Sequence, residues 1–359
     1  MVLKSVLVLK NGFIASLPII FTVSGSRCIL VAFIIIAVTF SGCVMNGSTS
    51  VPTTPSLVTP TQTSFVIVEN EDVIPAPVLT SVTTPTITPE STIPPVAELE
   101  IGKRKQSYPY TTRSLSQYLY YNTYTGVNTY LQERYPNRPT DFYNAASLEG
   151  YYRQYVSDPV QKKYLDDLIE NIHDRSDLPQ ERARIAISLI QHIPYTVTSH
   201  TNYPYEVLYY NSGKCEDKSI LAAYVLSQMG YGTALLLYYP EHHMALGLKC
   251  PRQFSINGSG YCFVETTTPT IMTFNNGTYT GVGRLRSQPA IIRISDGNSF
   301  ETIEEEYTDA KSLDTVLKSA VLNSTGISLD LNNYNQLAYL NKKYGLFDAG
   351  SFSSYIRPS

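Results

Sequence analysis

The stretch Asn211-Ser-Gly-Lys-Cys-Glu-Asp-Lys-Ser219 stands directly before the apolar run Ile220 to Met229. This order predicts that Cys215 lies in the first turn of a helix, where the positive end of the helix dipole favours a thiolate. Its neighbours Lys214, Glu216, Asp217 and Lys218 are all charged, so the helix start is expected near water. Gly230 ends the helix as a C-terminal cap.

Downstream lie three strand-like runs, Thr233 to Tyr239, His243 to Lys249 and Tyr261 to Thr266. A helix followed by antiparallel strands reads as α+β. A thiol hydrolase or acyl transferase needs a thiolate, an imidazole to carry its proton and a carboxylate or amide to fix the imidazole tautomer. The chain offers Cys215, His243 and Glu265 in that order. The other histidines are His173, His192, His200 and His242, and only His243 opens a strand-like run. Alternation places His243, Ala245 and Gly247 on one face, where the two small residues would let the Cys215 helix approach closely. Tyr261, Phe263 and Glu265 share a face on the next strand, so Glu265 can meet His243.

Cys250 and Cys262 fall on the opposite face. If residue 243 pairs with 265, then Cys262 stands opposite residue 246, four residues and about 13 Å from Cys250. A disulfide needs Cα atoms within about 7 Å, so none is expected unless the loop between the strands folds back. Zinc is not expected either, because His242 and His243 would point apart and no second pair has zinc spacing. Asp296-Gly-Asn-Ser reads as a turn rather than a calcium loop. No metal or cofactor is expected.

At Gly213-Lys-Cys215-Glu-Asp217-Lys-Ser219, Pro240-Glu-His-His243-Met-Ala-Leu-Gly and Phe263-Val-Glu265-Thr-Thr267 the chain resembles the transglutaminase-like superfamily, in particular its exported archaeal and bacterial members. The resemblance covers roughly residues 180 to 270. It implies a papain-like α+β fold, a thioester acyl-enzyme and a protein or peptide substrate. Glu265 stands where many members have Asp. No tryptophan is present to act as the oxyanion donor of the animal cross-linking enzymes, so the Cys215 N–H and a group from the loop Tyr203 to Asn211 are expected to serve. This favours hydrolysis of peptide or isopeptide amides over cross-linking by acyl transfer. A non-catalytic envelope domain with the same fold is the third reading.

Upstream, a helix is predicted over Pro159 to His173. A second is announced by Asp177 as cap, with Gln180 three residues later, and carries Ile185, Leu189, Ile190 and Ile193 at helical spacing. The first part of the domain is therefore expected to be mainly helical. All 29 tyrosines lie at or beyond Tyr108, which marks a domain boundary, and their expected role is packing and amphipathic surface. Residues 44 to 100 contain 27 Ser, Thr or Pro among 57, too little apolar surface to offset ordering entropy, so residues 44–102 read as a disordered stalk.

Residues 1–43 read as an export signal, with Lys4, Lys10 and Arg27 before the apolar run Cys28 to Phe40. Ser41-Gly42-Cys43 resembles a lipobox; the alternative is a membrane anchor over Ile29 to Met45. No Lys or Arg occurs between Arg27 and Lys103, so either reading tethers the chain to the outer face of the cell membrane. Four Asn-x-Ser/Thr sequons, at Asn46, Asn257, Asn276 and Asn323, suit an exported chain. The formal charge of -3, with no basic stripe, excludes a nucleic-acid partner. The domain is expected over 103–300. After it the chain turns acidic at Glu304, Glu305 and Glu306 and closes with a helical extension over 301–359, including Asn333 to Tyr344.

Overall fold

The computed structural model describes residues 93–138, 148–279, 282–323, 326–348, 352–353 and 356–358. The export signal, Cys43, the alternative anchor, Asn46 and the stalk up to residue 92 lie outside the described residues. Among the described residues no helix is long and apolar enough to cross a membrane.

The short helix α1 (Val96–Leu99) buries Leu99, so the core takes in the end of the segment expected to be stalk. Next come β1 (Lys103–Thr112) and β2 (Leu115–Tyr124), an antiparallel ribbon paired from Lys103↔Tyr124 to Thr112↔Leu115. The ribbon is an unexpected element in a first part that is otherwise helical. Its alternation is written in tyrosine: Tyr108, Tyr110, Leu119 and Tyr121 are buried, while Tyr118 and Tyr120 face out. Its two-residue turn is Arg113-Ser114, both left-handed at φ 47 and 69, without the Asn or Gly that usually announces such a turn.

Five helices follow before the Cys215 helix: α2 (Thr125–Arg134), α3 (Leu148–Val156), α4 (Pro159–His173), α5 (Pro179–His192) and α6 (Pro204–Tyr210). Helix α4 has the predicted bounds. Asp158 caps it by accepting from Val160 and Gln161 N–H, and Tyr164, Leu165, Leu168 and Ile172 line its buried face. Helix α5 starts later than predicted. Asp177 is not its cap: Leu178 holds that position without a side-chain bond, and Pro179 fixes the first helical residue.

Helix α7 (Cys215–Gln228) is closed by Gly230 at φ +87. Ile220, Leu221, Val225 and Leu226 in it have no exposed surface, and each contributes about 1.5–3 kcal/mol by burial. It lies against β3 (Gly232–Tyr238) and β4 (His243–Lys249), followed by β5 (Tyr261–Val264), the small pair β6 (Thr278–Tyr279) and β7 (Gly283–Arg284), and β8 (Ala290–Asp296). The sheet order is β5-β4-β3-β8, and each neighbour is antiparallel. Strand β8 is only half-buried at the sheet edge, which explains why its alternation is faint in the sequence.

The C-terminal extension is not wholly helical. Helices α8 (Glu304–Ser319) and α9 (Leu331–Tyr344) accompany the three-stranded sheet of β9 (Val321–Asn323), β10 (Gly326–Leu329) and β11 (Ile356–Pro358). Leu313, Val316, Leu337 and Leu340 form a second core with Ile271 and Phe274 from the loop after β5.

Candidate active site

The segment before α7 runs extended and is clamped to the loop after α5, since Gly213 N–H donates to Pro194 O (3.2 Å) and Thr196 N–H to Gly213 O (3.1 Å). A Cβ at Gly213 would stand 3.1 Å from Asp217 Cβ and 3.3 Å from Lys218 Cγ, so a side chain there would crowd the first turn. Cys215 is the first residue of the helix and is 5% exposed. Its N–H belongs to the first-turn donors that the helix itself leaves without a partner.

The charged neighbours are not near water. Lys214, Glu216, Asp217 and Lys218 are all buried, and each has a bonded partner. Asp217 reaches back to accept from Lys214 N–H (3.1 Å) and also takes the Asn202 N–H (2.9 Å) and side-chain amide (3.2 Å). Burial, then the Glu216 charge, push its carboxyl up to about 8 against the pull of those donors. Glu216 pairs with Lys214 Nζ (2.7 Å) and accepts from Thr201 Oγ1 (2.9 Å). Lys218 Nζ donates to Gln191 O (3.2 Å) and to Ile193 O, and burial lowers it to about 7 against the Glu265 charge. Gln191 Nε2 in turn donates to Glu265 O (2.9 Å). Lys218 and Gln191 therefore bind the thiol helix to the carboxylate loop.

The structure brings together all three residues singled out in the sequence. His243 Nε2 lies 2.9 Å from Glu265 Oε2, and neither side chain has exposed surface. The other oxygen, Oε1, accepts from Thr266 N–H (3.0 Å), Thr267 N–H (2.8 Å) and Thr267 Oγ1 (2.7 Å). These donors and His243 hold the Glu265 carboxyl below its usual range although burial, the largest influence, acts to raise it. Burial is also the largest influence on His243 and would lower it, but the Glu265 charge and the nearby Cys215 thiol, which itself donates to Glu216 Oε2 (3.8 Å), push the imidazole up to about 10. Nδ1 makes no bond of ordinary geometry, as is common in catalytic pairs without substrate. The Tyr279 ring lies parallel to the imidazole at 6.0 Å.

One register difference alters two expectations. Gly247 pairs with Phe263 and Leu248 with Cys262, so β5 is shifted by two residues from a 243↔265 pairing. A shift of two preserves parity, which keeps Glu265 on the His243 face but diagonal to it. The longer arm of Glu covers that diagonal. The same shift places Cys262 two residues from the partner of Cys250, whose N–H donates to Gly260 O (2.9 Å). Cys250 and Cys262 form a disulfide with Cα atoms 5.8 Å apart, contrary to the expectation of separate thiols.

The face chosen by α7 also differs. Met244, Leu246 and Leu248 share a core with α7, whereas Ala245 packs with Leu236, Tyr238 and Phe263 on the other side of the sheet. The helix takes the large apolar residues because they bury more area. Cys215 still meets His243 because both stand at element starts. Ser219 Oγ, one turn into α7, donates to Met244 O (3.1 Å), the residue after His243.

The segment Tyr203 to Asn211, expected to be a loop, is largely helical. It forms α6, whose Tyr205 hydroxyl bonds Tyr124 and whose Tyr209 hydroxyl bonds Thr125, on the β2–α2 side. Tyr195 was missed. It bridges to Gly213, its hydroxyl has no hydrogen-bond partner among the described residues, and burial, then the charges of Cys215 and Glu216, raise its phenol to about 12. In a chain with 29 tyrosines, nothing in the sequence distinguishes it. Compared with known protein families, with curated proteins and with solved structures, the chain matches none.

Proposed function

We propose that this chain is a thiol hydrolase of peptide or isopeptide amides built on a papain-like core of the transglutaminase type. The observation that carries this reading is the fully buried His243–Glu265 pair, whose imidazole presents its remaining nitrogen on the side of Cys215. In the proposed reaction the Cys215 thiolate attacks the amide carbonyl carbon and forms the C–S bond. The Cys215 N–H and the Tyr195 hydroxyl donate to the oxyanion. The C–N bond then breaks, and the His243 imidazolium gives its proton to the departing amine. Water then attacks the thioester with His243 taking its proton, the C–S bond breaks, and the carboxylic acid leaves with Cys215 again a thiolate beside the His243 imidazolium. Glu265 stays ionised and holds the imidazole orientation throughout.

The apolar leader and the Ser/Thr/Pro-rich segment support an enzyme tethered at the outer face of the membrane, where the substrate would be an envelope protein or peptide. The test is a blocked glutaminyl-glycine peptide and an ε-(γ-glutamyl)lysine isopeptide, incubated with and without a labelled primary amine. Release of ammonia or lysine without amine incorporation is expected, and Cys215→Ala should abolish it. Incorporation of the amine would instead establish acyl transfer, and no turnover of either substrate would favour a binding domain.

A further inference from the structure

On the sheet face away from α7 lies a cavity of about 380 Å³ that the proposed reaction does not use. Its walls come from four parts of the chain: the disulfide-closed loop after β4, the loop after β5, the segment before β8 and the first turn of α8. Tyr238 and Phe263 are part of its lining, and the Tyr238 ring centroid is 6.3 Å from that of His243. The cavity thus sits one ring away from the imidazole.

Three features of the lining point to a ligand. Phe254 and Tyr307 present a tilted aromatic pair with centroids 5.0 Å apart. Asn275 and Asn276 bring side-chain amides with no hydrogen-bond partner among the described residues. Thr273 adds a hydroxyl oxygen that is buried and unpaired. Thr273 is also held at φ +73, a conformation that β-branched residues rarely adopt, and its N–H is pinned to Phe263 O at 2.7 Å. Strain of this kind persists where the surroundings enforce it and concentrates at binding sites.

Charge narrows the class. Among the described residues Arg286 is the only charged side chain in the lining, and its guanidinium has no ion-pair partner. The nearby Glu241 carboxylate is already occupied by the Arg286 and Ser287 N–H groups and the Ser287 hydroxyl. Lys311 Nζ stands 4.2 Å over the Tyr307 ring, which adds a second cation beside the aromatic pair. Aromatic faces, unpaired amides and a hydroxyl are the groups that hold a sugar ring, and a free guanidinium selects a carboxylate. We propose that this cavity binds an acidic saccharide of one or two rings, non-covalently and independently of the thiol chemistry.

Asn257 and Asn276 are acceptors of two sequons at this cavity, so the test uses the full-length chain produced without attached glycans. Digalacturonate, an acidic disaccharide, and maltose, a neutral one, are titrated separately while tyrosine fluorescence and saturation-transfer NMR are recorded. Digalacturonate should bind saturably with Kd between about 10 μM and 1 mM, and maltose about tenfold more weakly or not at all. Arg286→Gln should weaken digalacturonate binding about tenfold without changing maltose. Thr273→Gly, which removes the hydroxyl and relieves the backbone, should weaken digalacturonate at least threefold without lowering the melting temperature. Cys215→Ala should bind as the unaltered chain does. No saturable binding of digalacturonate up to roughly 10 mM, equal affinity for the two sugars, or an Arg286→Gln variant that binds unchanged would each overturn the assignment.

Discussion

Helices α4 and α7 begin alike and differ in where they put their charges. Each has a buried carboxylate at its start: Asp158 caps α4 by accepting from Val160 and Gln161 N–H, and Asp217 in the first turn of α7 accepts from the N–H of the cap residue Lys214. In α4 the other charges face water, as in the Lys162–Asp166 pair, whose side chains are half exposed. At the start of α7 the four charged residues that flank Cys215, from Lys214 to Lys218, are buried and bonded. The difference shows which charges matter: those of α4 decorate a helix already fixed by its apolar stripe, while those of α7 set the position of the thiol.

That contrast can be broken by mutation. Asp217→Ala strands the buried Asn202 and Lys214 N–H groups and leaves Glu216 and Lys214 to repack, so it should cost about 3–5 kcal/mol in urea unfolding. A cost near that of an exposed carboxylate would undo the distinction. Asp158→Ala removes a cap that also accepts from Tyr130 and Tyr135, and about 2 kcal/mol is expected in the same measurement. Lys162→Ala, which breaks only the exposed i,i+4 pair, should change stability by less than about 0.5 kcal/mol.

The same contrast explains what could be read from the sequence. Helix α4 was legible to its last residue because an amphipathic helix writes its period into the chain, here from Pro159 to His173. Strand β4 was legible from His243 to Lys249 for the corresponding reason, alternation between two turns. The meeting of His243 and Glu265 followed from parity, which survives a register shift of two. Other features were not legible because their causes are long-range. The register of β5 depends on the folded loop of residues 250–262, so the disulfide could not be inferred from the two strands alone. The burial of Lys214, Glu216, Asp217 and Lys218 depends on partners such as Asn202, Thr201 and Gln191, which no local pattern pairs with them. The β1–β2 ribbon was hidden by an Arg-Ser turn, and Tyr195 by the abundance of tyrosine.

In the proposed reaction His243, held protonated by Glu265, keeps Cys215 reactive. With its proton affinity raised to about 10, the imidazole stays charged through neutral pH and loses that charge only as pH climbs toward 10. The stability it gains from Glu265 is correspondingly full below about pH 6.5 and disappears above about pH 10. The most direct measurement is the rate of Cys215 alkylation by iodoacetamide as a function of pH, in the unaltered chain and in His243→Ala. The expected result is a rate nearly constant from about pH 8 down to pH 6, and a variant whose rate falls about tenfold per pH unit as for a free thiol. A steep fall in the unaltered chain, or a variant indistinguishable from it, would contradict the claim.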